Sequence, residues 1–311
     1  MRRLGAPLRL TWDWDWPPIA HPGAVARRPS PEAAREIGAG IVRAGVLLLE
    51  VGYPDAEALR SGELAAALAG FAGNLSLVLT PGVAAELAAS RPWEALGVEE
   101  VWLDATPGSG DIPPGLEGWP AVRVHLTAGN LEAAAARIER ALAAGAAALS
   151  LPNLPLFGAL LRDPAAASPT AAQFGALAAR IAAAIRGRPG TDLRVHHYGL
   201  WQLLRAAGVQ LQGEGGESGG CQAGAALGYV DPAGILHPCA SLPVPLARVE
   251  ADAIRTAWAG AELAALREAI ARLPERCAGC PAESTCRGGC RGWAHYLHHS
   301  WNTPGPDCTR P

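Results

Sequence analysis

The sequence predicts an α/β protein, a full or partial β/α barrel followed by a small cysteine-rich domain. Three observations carry this. Over the first 200 residues, short apolar runs alternate with Ala/Leu-rich segments of helical period. A glycine-rich stretch, "QGEGGESGG" at 212–220, interrupts that alternation. All seven cysteines lie beyond it, between Cys221 and Cys308. The division expected is 1–211 for the α/β domain and 212–311 for a linker and the cysteine-rich domain.

The strands expected in order are residues 8–12, 46–51, 75–79, 101–103, 122–126, 147–151 and 193–197. A first helix follows Ser30 as N-cap and Pro31 at its first position, with Ile37, Ile41 and Ala44 on one face. A later one, over 130–144, aligns Leu131, Ala135, Ile138 and Leu142 and is stopped by Gly145. Near-continuous apolar strands joined by helices indicate a parallel sheet covered by helices. An open doubly wound sheet fits the same pattern. The link "TPGSGDIPPGLEGWP" between the fourth and fifth strands is too rich in Gly and Pro for a full crossover helix.

After the break, "AALGYVDPAGILHPC" reads as a hairpin around an Asp231-Pro232-Ala233-Gly234 turn, its second strand ending at Cys239. A long amphipathic helix is expected over 251–273. The glycine-rich stretch itself fits neither the dinucleotide fingerprint nor the P-loop, and reads as a linker.

Composition narrows the chemistry. With a formal net charge of −3 and no long basic run, the chain has nothing to track a nucleic-acid backbone. All 26 basic residues are arginine, which excludes a Schiff-base lysine, a pyridoxal-phosphate linkage and a P-loop lysine. The apolar run near the N-terminus is too short for a signal sequence, and no stretch reaches the length of a membrane span. A cytoplasmic location is expected, where clustered cysteines point to metal or redox chemistry before disulfides.

The cysteines run as Cys221, twelve residues, Gly234, four residues, Cys239, and then "CAGCPAESTCRGGC". That last stretch places Cys277, Cys280, Cys286 and Cys290 as C-x2-C-x5-C-x3-C, and Cys308 follows seventeen residues later. Thiolates two or three positions apart on a glycine-rich loop can share one metal centre. A single zinc held by Cys277, Cys280, Cys286 and one further cysteine would leave three thiols without a role. Disulfides suit an odd count poorly. Two four-iron clusters use the set more fully.

The run C-x12-G-x4-C, C-x2-C-x5-C-x3-C, C resembles the SPASM domain, the C-terminal extension of many peptide- and protein-modifying radical SAM enzymes. The resemblance implies two auxiliary [4Fe-4S] clusters. Cys221, Cys239 and Cys290 would hold the first; Cys277, Cys280, Cys286 and Cys308 the second. In that family the first cluster often takes a further ligand upstream. Here only Glu214 and Glu217 are on offer, or the position is open.

The barrel half resembles the radical SAM fold in its first strand, "LRLT", but departs from it in two places. The loop that carries C-x3-C-x2-C in the family reads "WDWDWPPIAHPG" and has no cysteine. Asp13, Asp15 and His21 would be poor substitutes for thiolates. The Gly-Gly-Glu-Pro signature is represented by "VGYP" at Val51, Gly52, Tyr53 and Pro54, without its glutamate. The chain thus resembles a degenerate radical SAM protein without an S-adenosylmethionine site, of the GeoRSP-type SPASM accessory kind. Expected partners are a radical SAM/SPASM enzyme or its substrate peptide, with electron transfer as a role. The alternatives are an enzyme using an open iron of the first cluster, with His197 or a carboxylate as base, and a zinc-stabilised binding module.

Three further groups stand out. Trp12, Trp14 and Trp16 alternate with Asp13 and Asp15, and read either as an aromatic stacking face or as a plug in the barrel mouth. His196, His197 and Tyr198 end the last strand, where barrels place active-site residues. His295 and His299 sit four apart on an expected helix after Cys290, flanked by Trp293 and Trp301, and read as metal ligands or as packing around the second cluster.

Overall fold

In a computed structural model the described residues are 4–21, 28–188, 190–211 and 220–308. Ten strands form one sheet: β1 (Arg9–Asp13), β2 (Leu48–Gly52), β3 (Asn74–Leu79), β4 (Glu100–Asp104), β5 (Ala121–Arg123), β6 (Ala148–Leu151), β7 (Asp192–Val195), β8 (Leu227–Val230), β9 (Ile235–His237) and β10 (Ala247–Arg248). Their order is β10-β9-β8-β1-β2-β3-β4-β5-β6-β7, so each of the first seven strands pairs in parallel with its sequence neighbour. The sheet ends at β7 and β10, which makes an open, partial barrel. Strand β8 adds in parallel to the free side of β1, with Arg9 opposite Leu227 and Trp12 opposite Val230. The cysteine-bearing half of the chain thereby shares the sheet of the first half.

Side-chain alternation sets what faces in and out. Along β1, Leu10 and Trp12 point outward and are fully buried with Ile37 and Ile41 of the helix Pro31–Ala44. Arg9, Thr11 and Asp13 take the other face and line a central cavity. The helix starts as the sequence dictates: Ser30 Oγ accepts the Ala33 amide at 3.2 Å, Pro31 follows, and Gly45 closes it with a left-handed φ of 73°. A second core joins β5, β6 and β7 to the helices Leu131–Ala143 and Ala171–Ile185. The β4–β5 link contains no helix and is pinned by the Trp119 indole donating to the Val101 carbonyl at 2.8 Å. No described helix is long and apolar enough to cross a membrane.

Four local expectations are corrected. The helix over 251–273 is two, Ala253–Ala259 and Ala261–Ala271, because Gly260 between them is extended (φ −67°, ψ 154°). The hairpin's second strand stops at His237: Pro238 has no amide to donate, and Cys239 makes only an isolated bridge to Leu242. Strand β5 ends at Arg123, and the His125 amide donates to Thr106 Oγ1 at 2.9 Å instead of continuing the ladder. Trp12 and Trp14 form neither a stacking face nor a plug; both are fully buried in the outer core, with ring centroids 5.2 Å apart.

Candidate functional site

The turn that opens the cysteine segment is built from its own backbone. Cys280 N–H donates to the Cys277 carbonyl at 3.0 Å and Gly289 N–H to the Cys286 carbonyl at 3.0 Å. Gly279, Gly288 and Gly289 all have φ between 67° and 94°. The C-terminal segment folds back on this turn through Gly305 N–H to the Gly288 carbonyl, 2.7 Å. Arg291, fully buried, holds that segment by donating to the carbonyls of Thr303, at 2.7 Å, and Trp301.

The seven thiols face two cavities. Cys277, Cys280, Cys286 and Cys308 line one of about 260 Å³. Cys221, Cys239 and Cys290 line the mouth of another, about 170 Å³, that runs into the barrel. Cys286 lies in the wall between them and borders both, as do Tyr198 and Gly289. The Cys239 sulfur accepts a hydrogen bond from the Ser241 amide at 3.4 Å. Burial pushes the Cys286 thiol up to about 12. Burial also carries Cys290 well above the ordinary thiol range, and Cys221 and Cys239 beside it add to the rise. Thiolates in such surroundings need a compensating positive centre. Among the described residues no three His, Cys, Asp or Glu side chains converge on a point that would hold a single ion.

Inside the barrel the lining carries several charged side chains. Arg123 of β5 reaches across to Glu50 of β2 and binds both carboxylate oxygens, one at 2.8 Å. Burial alone would raise the Glu50 carboxyl, but the Arg123 guanidinium overrides it and holds the group at about 2. A second crossing pair joins Arg194 of β7 to Glu100 of β4 at 2.6 and 2.9 Å, with the guanidinium 4.8 Å from the Trp102 ring. Asp13, at the end of β1, accepts a 2.8 Å hydrogen bond from the Tyr229 hydroxyl of β8. Burial lifts its carboxyl from 3.8 to about 8.

The other residues singled out in the sequence separate. His196 and Tyr198 line the central cavity; His197 does not. It packs against Phe174, with centroids 5.1 Å apart, and burial lowers it to about 4. His197 is therefore misplaced as a base for chemistry at the barrel mouth. Asp15 caps its own turn by accepting the Trp16 amide at 2.7 Å, and His21 packs on the Trp16 ring, so Asp13, Asp15 and His21 do not converge. His299 lies past the end of the helix Arg291–His298 with φ 49°, while His295 stacks on Trp301 at 4.2 Å; their spacing gives no shared metal site. Trp293 is buried and donates to the Leu154 carbonyl at 3.1 Å. Glu214 and Glu217 fall outside the described residues.

Glu50, Arg123, Arg194 and His125 are not singled out by the sequence, and Tyr53 stands out there only as part of "VGYP". The available signal was a charge or histidine at alternate positions of otherwise apolar strands, as in "LLEVG" and "AVRVH".

No family model matches the sequence, and no curated protein matches it. The structure is similar to solved ones. For SuiB of Streptococcus suis bound to S-adenosylmethionine the TM-score is 0.63 at 13% identity, over 98% of this chain and 78% of that one. Native anSMEcpe with bound AdoMet gives 0.62 at 10%, over 97% and 94%. The same protein with AdoMet and the Cp18Cys peptide gives 0.62 at 9%, over 97% and 94%. At such identities the likeness speaks to the fold alone, a mixed α/β partial barrel with a large, mostly parallel sheet.

Proposed function

We propose that this protein is an iron–sulfur accessory component of a radical SAM peptide- or protein-modification system. In this reading the barrel has lost its S-adenosylmethionine site, and a SPASM domain holds two [4Fe-4S] clusters. The chain binds the substrate peptide or the catalytic partner in the cytoplasm and relays electrons.

The observation that carries it is the grouping of the cysteines: Cys277, Cys280, Cys286 and Cys308 around one cavity, Cys221, Cys239 and Cys290 at the barrel mouth with Cys286 in the wall between, and none in the described part of the loop after β1. Cys277, Cys280, Cys286 and Cys308 make a complete thiolate set for one cluster. Cys221, Cys239 and Cys290 make a three-thiolate set that leaves one position to another ligand. Bound clusters of this kind store and pass single electrons. A lone zinc bound by four of these thiols would leave three without a role. Two of the similar structures, of SuiB and of anSMEcpe, are bound to S-adenosylmethionine. This chain lacks the three cysteines and the glutamate that the family devotes to it, which supports the accessory reading.

A second reading, an enzyme working at the open position of the first cluster, is favoured by one feature. Cys221, Cys239 and Cys290 share their cavity with Asp13 and His196. Any base there is a carboxylate or His196 in place of His197.

The test is anaerobic reconstitution followed by metal analysis. About eight irons per chain and a broad visible absorption band are expected; stoichiometric zinc without iron would sink the proposal. Incubation with S-adenosylmethionine and dithionite should yield no 5'-deoxyadenosine. Its formation would show radical chemistry in the isolated chain.

A further inference from the structure

Above the Glu50–Arg123 pair the barrel forms a chamber whose polar groups are short of partners. Among the described residues the Tyr53 hydroxyl and His125 Nδ1 find no hydrogen-bond partner, although the two residues are 6% and 5% exposed, and both line the cavity. Tyr53 is held in the left-handed region (φ 58°), a conformation costly for a large side chain and typical of functional positions. Asp13 is 4% exposed, and its one hydrogen bond to a side chain comes from the neutral Tyr229 hydroxyl. A Cβ on Gly52 would lie 2.1 Å from Asp13 Oδ1, so glycine is required for Asp13 to occupy its place.

Charge decides what the chamber suits. Glu50 and Asp231 direct negative potential at Asp13, and Arg123, the opposing cation, is already taken by Glu50. Arg9 lies lower, 3.7 Å from Glu50, and His125 is held neutral, lowered to about 4 chiefly by burial. Arg194, taken by Glu100 and Asp192, together with His196, Tyr53, Tyr198 and the four thiols at the mouth, completes the titratable lining. The cavity's three guanidiniums, Arg9, Arg123 and Arg194, all lie against carboxylates already, so a cation entering here would supply Asp13 with the counterion it lacks. Tyr53 offers an aromatic surface for an aliphatic stem, the Trp102 ring being already covered by the Arg194 guanidinium.

We propose that this chamber receives one basic side chain, a lysine or arginine of a bound peptide, whose cationic head pairs with Asp13 beside the Tyr53 hydroxyl. The proposal rests on the reading of the barrel as a peptide-binding compartment. It carries a proton signature. Asp13, lifted to about 8, holds its proton at neutral pH in the empty chamber, and an arriving cation displaces it. Binding at pH 7 then releases about one proton, and affinity rises about tenfold per pH unit between pH 6 and pH 8 before levelling.

Titration calorimetry on the full chain, in buffers of different ionisation enthalpy, tests this. The probes are N-acetyl-lysine-N-methylamide, its norleucine counterpart, n-butylammonium and 1-butanol. The expected result is at least about tenfold tighter binding of each cation than of its neutral partner, with proton release. In Asp13→Asn both the preference and the release disappear, and Tyr53→Phe weakens the preference without abolishing the release. Circular dichroism confirms that both variants fold. Equal binding of charged and neutral probes, a preference without proton release, or no binding of any cation would overturn the proposal. Binding of n-butylammonium with proton release, but of neither amino-acid derivative, would uphold the chamber and count against the peptide reading.

Discussion

Tyr229 donates a 2.8 Å hydrogen bond to Asp13 across 216 residues of chain. The bond fastens β8, which enters from the cysteine-bearing half, to the end of β1, and does so inside the barrel where both residues are buried. The joint ties two strands of one sheet that are far apart in the chain.

Asp13 makes stability depend on pH with a definite sign. Its carboxyl is lifted from 3.8 to about 8, so the folded state binds the proton more tightly than the unfolded chain. The stabilisation is complete below about pH 4 and is lost as pH rises to about 8, with a slope of at most ~1.4 kcal/mol per pH unit. Urea unfolding at pH 5, 6, 7 and 8 should show this decline, and Asp13→Asn should flatten it. Parallel slopes in the two proteins would contradict the assignment.

Glu50 acts in the opposite sense. Held at about 2 against an ordinary 4.5, it contributes stability above about pH 4.5 that is lost as the pH falls towards 2. Glu50→Gln leaves Arg123 buried without its counterion and is expected to cost roughly 3–5 kcal/mol in urea unfolding at pH 7. Replacing both residues by apolar side chains of similar volume should cost much less. An equal loss in the single and double variants would show that the pair's charge is not what matters.

Two glycines are docking points where a methyl group has no room. A Cβ on Gly292 would lie 2.0 Å from the Ser241 carbonyl oxygen, and one on Gly199 would lie 2.1 Å from that of Asp307. Gly199→Ala and Gly292→Ala should each lower stability by about 1–3 kcal/mol in thermal unfolding. Gly62→Ala serves as contrast: its Cβ would meet nothing, and its φ of 76° alone opposes the change.

The cysteine sets should separate in iron analysis. Cys308→Ser and Cys239→Ser are each expected to lose about half the iron of the reconstituted protein, and the double variant nearly all of it. Arg291→Met releases the carbonyls of Trp301 and Thr303 and with them the segment leading to Cys308. It should therefore behave as a partial Cys308→Ser, with slow loss of half the iron to a chelator. Uniform loss across both sets would argue against two separate centres.

Much of the barrel is legible in sequence because its signals are local. Seven apolar runs mark seven parallel strands, and Ser30, Pro31 and Gly45 delimit a helix by rules that need no tertiary context. The long helix failed for the same local reason, since Gly260 interrupts an otherwise continuous pattern. The aromatic and acidic residues after "LRLT" were harder. Alternation says that Trp12 and Asp13 face opposite ways, but only packing against the helix Pro31–Ala44 decides that the tryptophan goes outward and the carboxyl inward.

By itself, then, the sequence determines the α/β order of elements and a cysteine spacing suited to metal centres, because these depend on period, backbone preference and thiol chemistry. Tertiary structure decides which thiols share a cavity, that Tyr229 meets Asp13, and that Arg123 meets Glu50 across the barrel. Those contacts join strands far apart in the chain. Sheet closure and burial create them, and no local pattern encodes which charge ends opposite which.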